Sequence, residues 1–367
     1  MTIENVIMTT DNCRYCLMCR HVCPVGSVTH RETLNPHGWG LVIASIRRKL
    51  LVWNEETVRV LYACADCGTC RAHCVTDQPL PEAIAAARAE TAGLNLAPPV
   101  AYQVNQALEQ WSNPYVKQVP QPVEGQGKIA LFVGDEAPYL WKPALEAAQQ
   151  LLRCAGVEPV LVGWGRNNGY LASSLGFPDT ARDLARETIA ELQASGAELV
   201  LVLSPGDYFT FQQLYPERLG VEWPAGVQLQ EVTVFLANRL EAGKLNITRA
   251  EDATPYTYVD PTHSVRVPTH FDAPRKLLAA ILPGPARELF WRRERAHPTG
   301  STALQFTNPE ISHDLTRARL EDIQKSGAIL AITEDPGSLK QLSMQADQFG
   351  LRVQGLYELL AAQLPVA

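Results

Sequence analysis

The sequence predicts an α+β multidomain chain, an all-α amino-terminal domain followed by two pseudo-symmetric α/β repeats. Three observations predict it. Eight of the nine cysteines fall before residue 75, in two runs of identical spacing set among helical rather than alternating patterns. From Lys128 onward, short apolar runs alternate with longer stretches closed by glycine. A set of small-residue markers then recurs 131 residues further along the chain.

At 367 residues the chain exceeds one hydrophobic core. Its 46% apolar and 19% charged content is that of an ordinary globular protein. The net charge of −7 argues against a nucleic-acid partner. Met1 to Thr10 carry Glu4 and no basic segment, so no secretory signal is expected. The longest apolar run, Glu198 to Ser204, is of strand length and too short to span a bilayer. The expected location is cytoplasmic, with any membrane association peripheral and made through a partner. Neither G-x-G-x-x-G nor G-x-x-x-x-G-K-[ST] occurs, so no nucleotide site is expected.

The cysteines carry the chemistry. Cys13, Cys16, Cys19 and Cys23 precede Pro24, and Cys64, Cys67, Cys70 and Cys74 precede Val75. Both runs read C-x2-C-x2-C-x3-C, the spacing of bacterial iron–sulfur ligands. Three thiolates two residues apart wrap one face of a cube, and the fourth reaches the neighbouring cube. Crossed ligation follows. One [4Fe–4S] cluster takes Cys13, Cys16, Cys19 and Cys74, and the other takes Cys64, Cys67, Cys70 and Cys23. Structural zinc needs fewer thiols than two complete runs. Disulfides suit small secreted chains. Arg14, Arg20, Arg71, His21 and His73 lie among the ligands, either offsetting the roughly two negative charges of each cube or standing solvated on helices. The two cysteine runs and their helical flanks define an α-helical dicluster ferredoxin domain over residues 1–97.

Within it, Leu41, Ile43, Ile46, Leu50 and Leu51 recur at mostly helical spacing between Trp39 and Trp53. An Ala-rich helix is expected from Pro81 to Glu90. Residues 98–127 read as a linker, punctuated by Pro98-Pro99 and by Val119 to Gly127, with a short helix from Tyr102 to Trp111. Residues 128–250 form the first α/β repeat. Its expected strands are Lys128–Val133, Val157–Val162 and Leu199–Leu203, and its helices Lys142–Ala155, Thr180–Ser195 and Leu229–Glu241. Residues 251–367 form the second. Pro143, Gly196-Ala197 and Pro205-Gly206 recur there as Pro274, Gly327-Ala328 and Pro336-Gly337, with a strand at Ile329–Thr333 and a helix at Leu356–Leu364.

A helical two-cluster domain followed by two such repeats resembles the heterodisulfide-reductase-type iron–sulfur subunits. That group includes the iron–sulfur subunits of glycolate oxidase, anaerobic glycerol-3-phosphate dehydrogenase and lactate-utilisation complexes. In the family each repeat carries cysteine-rich CCG motifs that hold a further cluster. This chain departs from the pattern at Gly163-Trp164-Gly165, Ser204-Pro205-Gly206-Asp207, Val259-Asp260-Pro261-Thr262-His263, Gly300-Ser301 and Glu334-Asp335-Pro336-Gly337-Ser338, none of which contains a thiol. Cys154 alone lies outside the two runs, and one thiol cannot hold a multinuclear cluster. It is expected to be buried and inert at the apolar end of its helix.

The resemblance implies an electron-transfer subunit, not itself catalytic, that relays single electrons between a flavin-containing oxidoreductase subunit and a downstream acceptor. The acceptor side is a further electron-transfer protein or a quinone-linked membrane subunit, and no flavin is expected on this chain. The alternatives are a reductase with its own substrate site between the repeats, or an assembly scaffold with structural clusters. Asp260, His263, His270 and Asp272 form a polar stretch that reads as ordinary loop, with a cleft lining as the alternative. His297 and His313 suggest nothing by spacing. Arg292, Arg293 and Arg295 read as a basic helix tip, a solvated face or a docking surface for an acidic partner.

Overall fold

The computed structural model describes Val6, residues 13–118 and residues 125–365. The expected linker stretch therefore lies outside the described residues at 119–124. The amino-terminal part is entirely helical: α1 (Met18–His21), α2 (Pro24–Thr29), α3 (Pro36–Arg47), α4 (Glu55–Leu61), α5 (Thr69–Ala72), α6 (Leu80–Gly93) and α7 (Pro99–Trp111). Local chemistry sets the starts. The Asn35 carboxamide accepts from the Gly38 amide at 3.1 Å and Pro36 opens the first turn of α3. Asn54 and Thr57 close a capping box on α4. Pro81 sits in the first turn of α6. The helical spacing seen between Trp39 and Trp53 is realised only as far as Arg47. Beyond it Leu50 and Leu51 are exposed. Helix α7 falls inside the expected linker, yet it buries Ala101, Val104 and Leu108 against the rest of the molecule.

The remainder is mixed helix and parallel sheet. Strands β1 (Ile129–Gly134), β2 (Val160–Trp164), β3 (Leu199–Val202) and β4 (Gln228–Glu231) make one sheet in the order β2-β1-β3-β4. Strands β5 (Tyr256–Tyr258), β6 (Leu330–Thr333) and β7 (Arg352–Gly355) make a second in the order β5-β6-β7. Every pairing is parallel. The first unit carries α8 (Glu136–Leu140), α9 (Lys142–Cys154), α10 (Tyr170–Leu175), α11 (Pro178–Ser195), α12 (Pro205–Phe209) and α13 (Val232–Glu241). The second carries α14 (Ala273–Ile281), α15 (Pro309–Ser326), α16 (Pro336–Ser343) and α17 (Leu356–Ala361). Gly196 and Gly327, at φ 71° and 78°, close the two long helices α11 and α15 in the left-handed conformation that suits glycine.

Three strands escaped the sequence, one of them the three-residue β5, too short to show a period. Leu229 was expected to open a helix, but Gln228–Glu231 is β4, paired with β3 in the register Leu199↔Gln228, and α13 begins only at Val232. Strand β7 was likewise unread. Both are four-residue edge strands rich in polar side chains, so no apolar run announces them. The second sheet has one strand fewer than the first among the described residues.

The cores join what the sequence separates. One continuous apolar cluster runs from Val25, Trp39, Ile43 and Ile84 of the helical part into Phe132, Val200 and Phe211 of the first α/β unit. A second lies between the two units, where α9 packs on α17 and α13 on α14.

Candidate metal centre

The two cysteine loops adopt the same backbone. Two residues after the first cysteine of each run the chain turns left-handed, at Tyr15 (φ 54°) and Asp66 (φ 49°). It does so again two residues later, at Leu17 (φ 63°) and Gly68 (φ 85°). Left-handed non-glycine residues are costly and persist where the surroundings fix them. A one-turn helix follows each loop, α1 and α5, and carries the third cysteine inward. The fourth cysteines differ. Cys23 caps α2, its sulfur accepting from the Gly26 amide at 3.3 Å, and Pro24 takes the first helical position. Cys74 is followed by a turn, and its sulfur accepts from the Gln78 amide at 3.4 Å.

The sulfurs ring two cavities. Cys13, Cys16, Cys19, Cys70 and Cys74 line the first, together with Tyr15, Met18 and Leu41. Cys23, Cys64, Cys67 and Cys70 line the second, walled by Pro24, Pro36, Trp39 and Pro81. Cys70 is common to both. The surroundings of the two cavities contrast. Cys16 is exposed and Cys13, Cys19 and Cys74 are half-buried, whereas Cys23, Cys64 and Cys67 are buried. Tyr15, Met18 and Leu41 leave an exposed apolar rim on the outer cavity.

Electrostatics report which thiols are neighbours. Burial, then the charges of Cys13, Cys74 and Cys16, push the Cys19 thiol up to about 11. Burial pushes Cys23 well above its ordinary value, with Cys67 and Cys64 adding to the effect. Burial also pushes Cys64 up to about 12, against the favourable field of Arg88. Cys70 is raised by burial and by Cys67, Cys64, Cys23 and Cys19, so it stands between the two groups. Cys74 goes the other way: its burial is outweighed by hydrogen bonds from Thr76 and Gln78, which together lower it. Metal ligation requires thiolates, so these buried thiols give up protons when a metal group forms there. Among the described residues no three His, Cys, Asp or Glu side chains converge as a single-ion site. Sulfurs spaced around a cavity suit a multi-iron cube rather than one zinc at about 2.3 Å from each sulfur.

Of the charged groups named from sequence, Arg14, Arg20 and His21 are exposed, with Arg14 at the wall of the outer cavity. Arg20 pairs with Glu32 at 2.5 Å, and Arg71 with Asp77 at 2.9 Å and Glu82 at 3.3 Å. His73 turns its Nδ1 to the Thr69 carbonyl at 3.0 Å. The cations nearest the inner loop are two that sequence reasoning missed. Arg88, 2% exposed on α6, donates to the carbonyls of Leu61, Cys64 and Ser174 at 2.7–2.8 Å. Arg266 donates to the Asp66 carboxylate at 3.1 Å and to the Asp66 and Cys67 carbonyls at 2.9 and 3.3 Å. The signal for Arg88 was an arginine on the apolar face of an Ala-rich helix. For Arg266 no local signal exists.

The other sequence candidates disperse. Asp260 is buried in a two-pronged pair with Arg275, at 3.0 and 2.8 Å. His263 stacks on Phe209 and approaches the Tyr170 hydroxyl at 3.0 Å. Burial and the Arg266 charge push its pKa down to about 3. His270 is buried between Glu231 and Glu334, at 2.8 and 2.6 Å. Asp272 is exposed and pairs with Arg293. His297 is buried, stacked on Trp291 and 3.1 Å from the Val22 carbonyl, whereas His313 is exposed. The basic helix tip is not formed. Arg293–Arg295 is a single 3-10 turn, and Arg292 and Arg293 are paired with Glu288 and Asp272. Cys154 is exposed, not buried, because the inward face of α9 runs through Ala144, Leu145, Ala148, Leu151 and Leu152 and passes it by. Among the described residues no helix is long and apolar enough to cross a membrane.

Comparison with known proteins agrees with this geometry. Residues 9–89 match the family model for a 4Fe-4S dicluster domain. One of the subunits that make up the dihydromethanophenazine:CoB–CoM heterodisulfide reductase of Methanosarcina barkeri is 26% identical over 84% of this chain and 79% of its own length. Its counterpart in Methanosarcina mazei is 27% identical over 62% of this chain and 58% of its own length. The probable glycolate oxidase iron-sulfur subunit of Bacillus subtilis is 26% identical over 61% of this chain and 51% of its own length. A crystal structure of a hypothetical protein from Helicobacter pylori superposes with a TM-score of 0.61 over 90% of this chain and 68% of that one. At 11% identity it speaks for the fold alone. The chain thus carries a 4Fe-4S dicluster domain at its amino end and resembles heterodisulfide-reductase-type and glycolate-oxidase-type iron–sulfur subunits over most of its length.

Proposed function

We propose that this chain, a dicluster iron–sulfur protein resembling the heterodisulfide-reductase and glycolate-oxidase iron–sulfur subunits, is the electron-relay subunit of an oxidoreductase complex. In this reading it carries single electrons between a flavoprotein partner and a downstream acceptor. Cys13, Cys16, Cys19 and Cys74 hold an outer cluster, and Cys64, Cys67, Cys70 and Cys23 an inner one. The observation that carries the reading is the pair of thiol-lined cavities sharing Cys70, one at an exposed apolar rim and the other lined mostly by buried residues. The crossing is supported by the mutual charge effects among Cys13, Cys19 and Cys74, and among Cys23, Cys64 and Cys67.

Bound there, [4Fe–4S] groups supply one-electron redox chemistry. The protein's own residues prepare the ground. Trp39 and the surrounding prolines keep water from the inner set. Backbone amides of Gly26 and Asp66 donate to Cys23 and Cys64 at 3.3 Å, and the Thr69 hydroxyl donates to Cys67 at 3.4 Å. Such bonds, with the buried Arg88 and Arg266, stabilise added negative charge and raise a potential. The Tyr15–Met18–Leu41 rim is the face through which a partner reaches the outer set. The two α/β units are read as copies of one ancestral unit, supported by their shared strand–helix order and the 131-residue offset between α11 and α15 and between β3 and β6.

Anaerobic purification from the native source, with iron, sulfide and flavin analysis, tests the reading. The expected result is about eight irons per chain and a co-purifying flavoprotein whose turnover bleaches the clusters. Zinc in place of iron, or clusters that stay oxidised while the flavoprotein turns over, would overturn it.

A further inference from the structure

The carboxyl ends of both parallel sheets open on one shared cavity. Asp135 and Glu136 follow β1, Ser204 to Asp207 follow β3, Pro261 to His263 follow β5, and Asp335 and Pro336 follow β6. Open α/β sheets bind ligands at this end, because helix starts and loops converge there. The Pro-Gly markers that recur along the sequence are part of these turns. Gly337 is glycine because a Cβ there would stand 2.9 Å from the Glu136 carboxylate.

The lining has one sign. Four carboxylates face the cavity, Asp135, Glu136 and Asp207 from the first unit and Asp335 from the second, and no lysine or arginine joins them among the described residues. Their desolvation is only partly compensated. Burial raises Asp135 to about 6 and Asp207 to about 7, and raises Glu136 and Asp335 as well. Neutral donors satisfy only part of their capacity: Asn167 donates to Asp135 at 3.0 Å, and Asn168 and Ser204 to Asp207 at 2.8 and 3.2 Å. The helix starts offer an anion little. The Asp335 carboxylate accepts from the Ser338 amide at 2.7 Å, and the Ser204 hydroxyl accepts from the Asp207 amide at 3.4 Å, so each cap is filled from within the chain.

A second observation points to a ligand. Thr262, 5% exposed, lines the cavity with a hydroxyl that has no hydrogen-bond partner. A buried hydroxyl left unpaired is destabilising. It is tolerated where something else supplies the partner.

We propose that this cavity binds a small organic cation bearing ammonium or guanidinium groups, held by Asp135, Glu136, Asp207 and Asp335 and by the Thr262 hydroxyl. A bare metal ion fits less well, because among the described residues no three of these groups converge as an ion site. The proposal stands independently of the electron relay. The cavity does lie two hydrogen bonds from the inner cysteine loop, through His263 to Tyr170 at 3.0 Å and Tyr170 to Asp66 at 3.0 Å.

Titration calorimetry of the full-length, cluster-loaded protein tests it, with putrescine, agmatine and ethanolamine as probes, 1,4-butanediol as the uncharged isostere and magnesium chloride as the metal control. The expected result is one-to-one binding of at least one cation and none of the diol. Asp207→Asn should weaken that binding tenfold or more, and Thr262→Val should weaken it while raising the melting temperature of the ligand-free protein. Silence from all three cations would overturn the proposal. So would binding indifferent to both variants, or magnesium binding that displaces the amines.

Discussion

Arg88 Nη2 lies 2.8 Å from the carbonyl oxygen of Cys64, placing a buried guanidinium directly behind a cysteine of the inner loop. The same group holds Leu61 and Ser174 and stacks over Tyr62. It thus pins α6 to α10 as well as to the loop. Replacing it with methionine keeps the length of the side chain and removes the charge. Arg88→Met should lower the reduction midpoint of the inner cluster, seen by EPR-monitored redox titration, and leave the outer one little changed. Carbonyls left unpaired should also cost on the order of 2–3 kcal/mol in chemical denaturation. An unshifted midpoint would mean that the charge does not act on the cluster.

Crossed ligation predicts paired losses that sequence order does not. Cys74→Ser should remove the outer cluster, although its own run is the inner one, and Cys23→Ser the inner. Iron should fall from about eight to about four per chain in each case. The surviving cluster should keep the signal lost in the other variant. The reverse assignment by Mössbauer or EPR spectroscopy would establish uncrossed sets.

Arg266 ties the second α/β unit to the inner loop through Asp66, with both side chains nearly buried. Removing one partner of such a pair costs about 3–5 kcal/mol because the other is left charged and unsolvated. Arg266→Ala should therefore be destabilised by that order, and Asp66→Asn in the same chain should restore part of it. Gly68→Ala should also be damaging. Its φ of 85° strains any side chain, and the added methyl would overlap the Arg266 guanidinium. Denaturation midpoints and the rate of cluster loss in air measure both.

His270 carries a pH dependence. Although burial disfavours its charge, Glu334 and Glu231 hold its pKa up to about 10, against about 6.5 in an unfolded chain. The folded state therefore keeps the extra proton between these values. This stabilisation is complete below about pH 6.5, declines as pH rises and is gone above about pH 10. Melting temperatures across pH 7 to 10 should fall in the native protein. In His270→Gln they should be lower at pH 7 and flatter across the range.

The cysteine chemistry was legible because ligand spacing is a local property. Three thiols two residues apart can face one centre whatever lies beyond them, so Cys13 to Cys23 and Cys64 to Cys74 announce themselves. The strands β1, β2, β3 and β6 and the helices α9, α11 and α17 were legible for the same reason, since period and cap lie within the element, whereas α15 was not read. Strands β4 and β7 were not, because a polar four-residue edge is stabilised by its neighbour's hydrogen bonds rather than by its own side chains, and β5 was not, because three residues show no period.

The sequence by itself determined the two cysteine runs of a 4Fe-4S dicluster domain, the helical amino-terminal part and the alternation of strand and helix. Only the tertiary structure decided that Arg88 and Arg266 are the cations behind the inner loop. It also decided that one cysteine set is more deeply buried than the other, and that both sheets aim four carboxylates into one cavity. These are relations between residues as far as 200 positions apart, as Asp66 and Arg266 are. Burial and charge at such points are set by what the chain folds against, and no local pattern encodes that.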